Sequence, residues 1–504
     1  MFPCVPGTGV ALPGTGSRSV GGWIPLTTAP RGGREPESSA AMTNNEPLES
    51  VVSSSPPMSR LERGRRLAAR APVPEGTFAV GAGLIIAGLA TYAFQILAFR
   101  NLNKLDYGAL NTLWVVVFVL APGIFLPLEQ EVGRAMAARR VHGVGGAPIV
   151  RRASALGAAF AIAMTIAVVI VAFTTSLVSK LFAGHSLLVV CLVVALFTFG
   201  IEYLARGAFA GTGNFGAYGV SMAAEALLRL APCIPLALVG AKNPVWFGLC
   251  LAIPPLLATA IALRGRHDLM QPGPPAPYRE ISTNLGYLLG GSLFAQVLGY
   301  APFIGAQALA KPSQRTAVAD FIVGLFLSRI PIVLFQAVQA ALLPGLTAMV
   351  SAGRDDEFRV GVRRLVFVVV GIGALGVAAG WLAGPWAGGL LFGAKFNLGR
   401  SDVALLATGS GLFILSLTMS QALIALSGHA FTMYAWLVGL VAFILTTAVV
   451  SHELFLRVEL GSIAGALASL VMMAIFFVRR LRKGVASGDL ASLIDQLVSE
   501  PLEI

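Results

Sequence analysis

From Thr77 onward the chain is a succession of apolar runs, each about 18 to 25 residues long, separated by short segments carrying Arg, Lys, Gly or Pro. Twelve runs occupy approximately 77–98, 110–130, 153–175, 186–205, 218–239, 244–263, 285–306, 318–343, 365–387, 403–426, 430–450 and 460–478. At ~1.5 Å of rise per residue, each is long enough to cross a hydrocarbon layer of ~30 Å as a helix. No water is available there to hydrogen-bond an open backbone, so helices are expected. The pattern predicts an all-α polytopic membrane protein with twelve transmembrane helices.

Residues 1–72 are a different material, rich in Gly, Pro, Ser and Arg and without a sustained apolar run. They are expected to be a disordered cytoplasmic extension, with Met42 and Met58 as alternative starts, and they contain no apolar stretch of signal-peptide type after a basic start. The longest loop between runs, Arg264–Asn284, contains Gln-Pro-Gly-Pro-Pro-Ala-Pro and divides the spans six and six. The expected organisation is an N-terminal lobe over 73–264, a cytoplasmic linker over 265–284, a C-terminal lobe over 285–480 and a cytoplasmic tail over 481–504.

The two lobes read as a duplication. Val150-Arg151-Arg152 precedes span 3 and Val362-Arg363-Arg364 precedes span 9, 212 residues apart. Leu126-Pro127-Leu128 ends span 2 and Leu343-Pro344-Gly345 ends span 8, at an offset of 217. Gly213 and Tyr218 after span 4 match Gly428 and Tyr434 after span 10, at 215 and 216. Six spans per lobe insert both lobes in the same direction, so the repeat is parallel, and binding sites in such transporters lie between the halves near the midplane.

Composition agrees: 56% of residues are apolar, 12% are charged and the mean hydropathy is +0.79. An ordinary soluble domain carries about 25% charged residues. The net charge of +12 would suggest nucleic acid in a soluble protein, but here the charges fall mostly in short loops. Loops on the side shared with the N-terminus hold 22 Lys and Arg, and the opposite loops hold 9. Basic loops resist translocation, so both termini are expected in the cytoplasm, in a plasma membrane, with no nucleic-acid partner.

The sequence offers little to an enzyme. There is no Walker phosphate-binding loop and no His-Glu-x-x-His, the five histidines are scattered, and the four cysteines form no Cys-x-x-Cys pair. No metal or other cofactor is expected. The loops opposite the N-terminus are too short to present the acidic constellation of a lipid-sugar polymerase. Gly207-x-x-x-Gly211, Gly286-x-x-x-Gly290, Gly384-x-x-x-Gly388 and Gly461-x-x-x-Gly465 are assigned to close helix packing.

Charges inside the spans are the candidate site residues, because each costs ~2.5–3.5 kcal/mol on insertion scales unless it is paired or faces a wet cavity. Glu225 and Arg229 in span 5 lie four apart on one face and can pair. Arg329 in span 8 lies near the midplane with no acid within one turn of its own helix, and Gln336 and Gln339 extend a polar strip beyond it. Glu202 with Arg206 at the end of span 4, and Glu129 to Glu131 at the end of span 2, read first as interfacial anchors, with Glu202 and Arg206 also counted among the substrate-binding candidates.

Several stretches resemble the multidrug/oligosaccharidyl-lipid/polysaccharide exporter superfamily, in particular its polysaccharide flippase (Wzx-type) branch. They are Leu105-Asp106-Tyr107-Gly108, Arg206-Gly207-Ala208-Phe209-Ala210-Gly211 through Gly213-Asn214-Phe215, Glu225 to Arg229, Ala341-Leu342-Leu343-Pro344-Gly345-Leu346 before Gly353-Arg354-Asp355, Leu390-Leu391-Phe392-Gly393, and Leu423 to His429. The resemblance implies two six-helix lobes around a central cavity lined by spans 1, 2, 7 and 8. It also implies alternating access and a polyprenyl-diphosphate-linked oligosaccharide as cargo, with membrane lipids and cell-envelope glycosyltransferases or a polymerase as partners. The function expected is a flippase of lipid-linked glycan serving envelope polysaccharide synthesis. The alternatives are a cation-coupled multidrug exporter of the same fold, a membrane glycosyltransferase or polymerase, and a non-transporting envelope scaffold.

Overall fold

A computed structural model describes residues 77–174, 177–277, 285–332, 335, 355–393, 395–426 and 428–482, and all regular structure among them is helical. We call the side of the bundle where the first helix begins the near face and the opposite side the far face. The first half contains α1 Thr77–Asn101, α2 Lys104–Val141, α3 Ala147–Thr174, the short α4 Leu177–Leu181, α5 Leu187–Gly211, α6 Phe215–Leu230, α7 Cys233–Leu238, α8 Pro244–Ala252 and α9 Pro254–Leu263. The second half contains α10 Leu285–Leu309, α11 Arg315–Ser328, α12 Asp355–Phe392, α13 Arg400–Ala425, α14 His429–Val449 and α15 Leu454–Arg482. Prolines explain the two divided spans. Pro232 interrupts the passage from α6 to α7, and Pro254 that from α8 to α9, because each lacks the N–H that would continue the ladder.

Among the described residues eleven helices are long and apolar enough to cross a membrane. The run expected over 318–343 is represented by α11, which stops at Ser328 with Arg329 at its C-cap. Pro331 supplies the reason, since it has no N–H for the carbonyl of Leu327 and its ring crowds that carbonyl. The extension 1–72 and the tail beyond Arg482 lie outside the described residues. Helix α2 runs to Val141, well past the expected end of its span near 130. The segment Glu131–Val141 is polar but rich in Ala, Arg and Met, which favour helix, so the helix outlasts the apolar run.

Five helix pairings of the first half recur in the second. Span 1 on span 5 (α1 with α6) matches span 7 on span 11 (α10 with α14); span 2 on span 4 (α2 with α5) matches span 8 on span 10 (α11 with α13). The pairs α3 with α5, α5 with α8 and α9, and α6 with α9 match α12 with α13, α13 with α15, and α14 with α15. The halves meet along α2, which packs on both α10 and α11. Burial follows this plan: 72% of the apolar window of α2 is inside the protein, against 11% for α3 and 17% for α12. The last two present Phe173, Phe367 and Leu375 outward, as helices facing lipid do.

Small residues set the close approaches. A Cβ on Gly207 would lie 2.7 Å from the Glu129 carbonyl oxygen, and one on Gly211 would lie 2.9 Å from that of Gly133, so α5 rides on α2 through bare backbone. Gly465 meets the Gly439 carbonyl in the same way, while Gly286 faces open space and carries no packing role. The Pro-rich linker is docked rather than free as far as Pro277: Arg139 of α2 donates to the carbonyls of Gly145 and Pro274 at 3.2 and 2.9 Å, and Leu269 and Ala276 are buried against the first half. We expect Gly207→Ala to force α2 and α5 apart and to cost about 1–3 kcal/mol, as overpacking does. Thermal melts of the purified protein should show a lower midpoint for Gly207→Ala and no change for Gly286→Ala.

Candidate functional site

Glu129, Glu202, Arg206, Tyr218 and Ser221 form one network on α2, α5 and α6. Arg206 places Nε 3.3 Å from Glu129 Oε2 and Nη1 3.9 Å from Glu202 Oε1, and its guanidinium lies 4.1 Å over the Tyr203 ring. Tyr218 donates its hydroxyl to Glu129 at 2.7 Å, and Ser221 donates to Glu202 at 3.1 Å. One turn and then two turns further along α6, Glu225 and Arg229 pair at 3.3 Å, and Arg229 also donates to Thr91 of α1 at 3.3 Å. Glu202 and Glu225 are close enough to act on each other electrostatically. The interfacial-anchor reading of Glu129, Glu202 and Arg206 is therefore corrected. These groups are 5%, 1% and 9% exposed, because α2 continues past them as helix and α5 packs against it through Gly207 and Gly211.

Three carboxylates and two guanidiniums share this interior, an excess of acid if all are ionised. Among the described residues Glu202 and Glu225 each keep one oxygen without a hydrogen-bond partner, and Arg229 keeps Nε and Nη1 without one. Arg229 does not face its acid alone. Its guanidinium also lies 5.1 Å from the Trp114 ring and 5.9 Å from that of Phe118, both on α2 at the seam between the halves.

Arg329 reaches the same seam from the other half. It stacks 4.4 Å over Tyr300 of α10, and Tyr300 lies within electrostatic reach of both Arg329 and Arg229. Trp114 connects the surroundings: it stacks on Phe118 at 4.5 Å and on Phe94 at 5.4 Å, and meets Phe326 of α11 edge-on at 6.1 Å. Tyr92 of α1 donates to the Phe326 carbonyl at 3.0 Å, one turn before Arg329. Among the described residues Arg329 has no acidic partner and its Nε has no acceptor. Counting ~1.5 Å per residue from either face, Arg229 and Arg329 are each ~21 Å deep, close to the middle of a bilayer of ~40–45 Å including headgroups. Gln336 and Gln339 lie outside the described residues.

At the far face the halves are fastened by contacts that sequence reasoning did not single out. Lys104 Nζ donates to Asp320 Oδ2 at 2.6 Å, with Asp320 buried. Arg100 donates to the carbonyls of Leu390 and Leu391 at the end of α12, both at 2.9 Å, and Phe99 meets Phe392 edge-on. Lys104 and Asp320 are 216 residues apart, the offset of the internal repeat, as are Gly108 and Gly324. Opposite charges at repeat-equivalent positions, one on each side of the pseudo-symmetry axis, were the available signal.

No protein-family model matches the chain. Two uncharacterized proteins of Mycobacterium tuberculosis (strain ATCC 25618 / H37Rv) are similar to it. One is 26% identical over 366 residues, covering 68% of this chain and 78% of that protein, and the other is 27% identical over 393 residues, covering 75% and 86%. The fold is that of solved MATE transporters. A MATE protein in complex with MaD5 superposes with a TM-score of 0.63 at 15% identity, covering 81% of this chain and 95% of that one. An outward-facing multidrug resistance MATE family transporter of the MOP superfamily gives 0.62 at 14% identity over 81% and 95%, and an inward-facing one gives 0.62 at 14% over 79% and 96%.

The network predicts an asymmetry between its members. Arg206→Met strands Glu129 and Glu202 without their cation and should cost about 3–5 kcal/mol, whereas Glu202→Gln leaves the Arg206–Glu129 pair in place and should cost far less. Parallel thermal melts of the two variants check it; equal losses would mean that the groups do not act as one network.

Proposed function

We propose that this chain is an alternating-access transporter that carries an anionic, lipid-linked glycan across a membrane, with Arg229 and Arg329 holding its phosphate or diphosphate head. The observation that carries the reading is the meeting of two guanidiniums from opposite halves on one aromatic seam near mid-membrane, with N–H donors left over. A guanidinium fork binds two phosphoryl oxygens at once, and the rings of Trp114, Tyr300 and Phe118 give sugar faces and the first prenyl units something to stack on. A cation in hydrocarbon without an acid is costly to keep; a bound anion would neutralise Arg329 and take up the nitrogens that the Glu225 pair leaves on Arg229. On this reading the near face, which holds the excess of Lys and Arg, is cytoplasmic, and the far face is extracytoplasmic.

The MATE fold supplies the motion, because its two halves can rock about a site between them. Closure at the far face by Lys104–Asp320 and by Arg100 on the end of α12 then corresponds to a state closed to the outside, and outward opening has to break those contacts. A second reading has its own observation. The acid excess of Glu129, Glu202 and Glu225 over Arg206 and Arg229 could hold a coupling cation for a multidrug exporter, and the solved MATE neighbours include multidrug resistance transporters.

Transport by proteoliposomes separates the two readings and tests the site. Arg329→Lys keeps the charge but loses the fork, so translocation of a fluorescent polyprenyl-diphosphate oligosaccharide should fall about tenfold or more, and Arg329→Ala should fall further, both with unchanged melting temperature. Full activity of Arg329→Ala, or efflux of a cationic dye with no glycan translocation, would overturn the proposal. For the far-face contacts, a Lys104→Cys/Asp320→Cys protein should lose transport on oxidation and regain it on reduction. Undiminished transport while cross-linked would show that this face does not open.

A further inference from the structure

Glu459 lies on α15, five residues from its far-face end, and is 0% exposed. Neither of its carboxylate oxygens has a hydrogen-bond partner among the described residues. Every other acid buried among the described residues has a partner: Glu129 and Glu202 have Arg206, Glu225 has Arg229, Glu131 has Arg134 and Asp320 has Lys104. Among the described residues no cation pairs with Glu459: α13 carries Arg400 at its first residue and α11, which meets α15 where Phe321 stacks on Phe455, carries Arg315, but both are exposed, and Asp320 of α11 is held by Lys104. Helices α10 and α14 contain no Asp, Glu, Lys or Arg, and the charged group of α13 that acts on Glu459 is another acid, Asp402. Arg457 on its own helix is two residues away and so projects to a different side.

An ionised carboxylate with no partner is among the most expensive groups to bury, and in practice it binds a cation or a proton. The surroundings favour the proton. A metal ion needs several oxygens around it, and among the described residues no group of three or more His, Cys, Asp or Glu converges to hold one. A proton needs one lone pair. Its route from the far face is short, because Asp402 is partly exposed at the first turn of α13, where it caps the Gly399 N–H at 3.1 Å.

Toward the interior, polar groups continue from Glu459. Ser462, one turn further along α15, touches α13 at Gly409 and lines a small cavity with Ser410 and Arg329. Ser410 is 3.2 Å from Ser328, the neighbour of Arg329. Ser462, one turn from Glu459 on the same helix, thus lines the cavity that also holds the guanidinium proposed to hold cargo.

We infer that Glu459 is a proton-binding site of the second half, loaded from the far face past Asp402 and connected through Ser462 and Ser410 to the pocket of Arg329. Loading is a simple association: the carboxylate and a proton from the far-face solution give the neutral acid, and release restores the carboxylate. The connection to Arg329 rests on the transporter reading above; the binding of the proton does not.

The test uses the full chain, uniformly oriented in phosphatidylethanolamine/phosphatidylglycerol vesicles, with no cargo present. A hydrophobic carbodiimide, which adds to protonated carboxyls in apolar surroundings, is the probe, and mass spectrometry of the peptides locates the adduct. Labelling at Glu459 should be present at low pH and fall about tenfold per pH unit above its midpoint, as one proton requires. It should follow the pH of the far-face solution at constant near-face pH, and sodium chloride should not protect against it. Four results would overturn the site: no adduct at Glu459 while other carboxyls label, labelling independent of pH, labelling that follows the near-face pH, or protection by sodium. Because the readout requires no transport, any of them would leave the proposal for Arg329 to be judged by its own assay.

Discussion

Charge inside a bundle that faces lipid is the constraint on which the rest of this structure depends. Each buried guanidinium or carboxylate must find an opposite charge, an aromatic face, a hydroxyl or a ligand, because no water layer lies behind it. Arg206 finds two carboxylates and two rings, and it needs nothing more. Arg229 finds one carboxylate, one hydroxyl and two rings, with two nitrogens left over among the described residues. Arg329 finds the ring and hydroxyl of Tyr300 and, among the described residues, no acid. The series runs from a closed structural knot in the first half to an unsatisfied cation at the seam, and the unsatisfied end is where a ligand would lower the free energy most.

Packing places this series. Helix α5 can deliver Arg206 to Glu129 only because Gly207 and Gly211 let it ride on the backbone of α2. Helix α2 then serves both halves, with Glu129 in the network, Trp114 and Phe118 under Arg229, and Lys104 in the far-face contact with Asp320. A shift of α2 relative to α10 and α11 would alter all three together, which gives the bundle a mechanical link between its polar knot, its central aromatic seam and its closure. The break before Pro331 interrupts the helix at Arg329, and helix resumes at Ile330, so this guanidinium sits at a one-residue break between helical turns.

Much of this was legible in the sequence. Long apolar runs fix helices in a membrane because backbone satisfaction leaves no other choice, and the four-residue spacing of Glu225 and Arg229 fixes their pairing. Arg329 stood out because nothing on its own helix could neutralise it. The sequence misled where apolarity was taken as the mark of a helix end: Glu129 looked interfacial because the apolar run stops there, yet α2 continues for three turns and buries it. Contacts across the repeat, such as Lys104 with Asp320, join residues 216 apart, and hydropathy carries no information about them. Glu459 was overlooked for a related reason, since its position near the start of a run resembles an interfacial acid until the packing of α13 against α15 is known.

The claim that two seam arginines hold an anionic lipid head is tested most directly by native mass spectrometry of the protein released from its own membrane. The wild-type chain should retain a phosphate- or diphosphate-bearing glycolipid. A variant with Arg229→Met and Arg329→Met, folded by its melting curve, should lose it while keeping bulk phospholipid. Equal retention by the double variant, or a wild-type chain that carries no phosphorylated glycolipid under conditions in which it is active, would contradict the account.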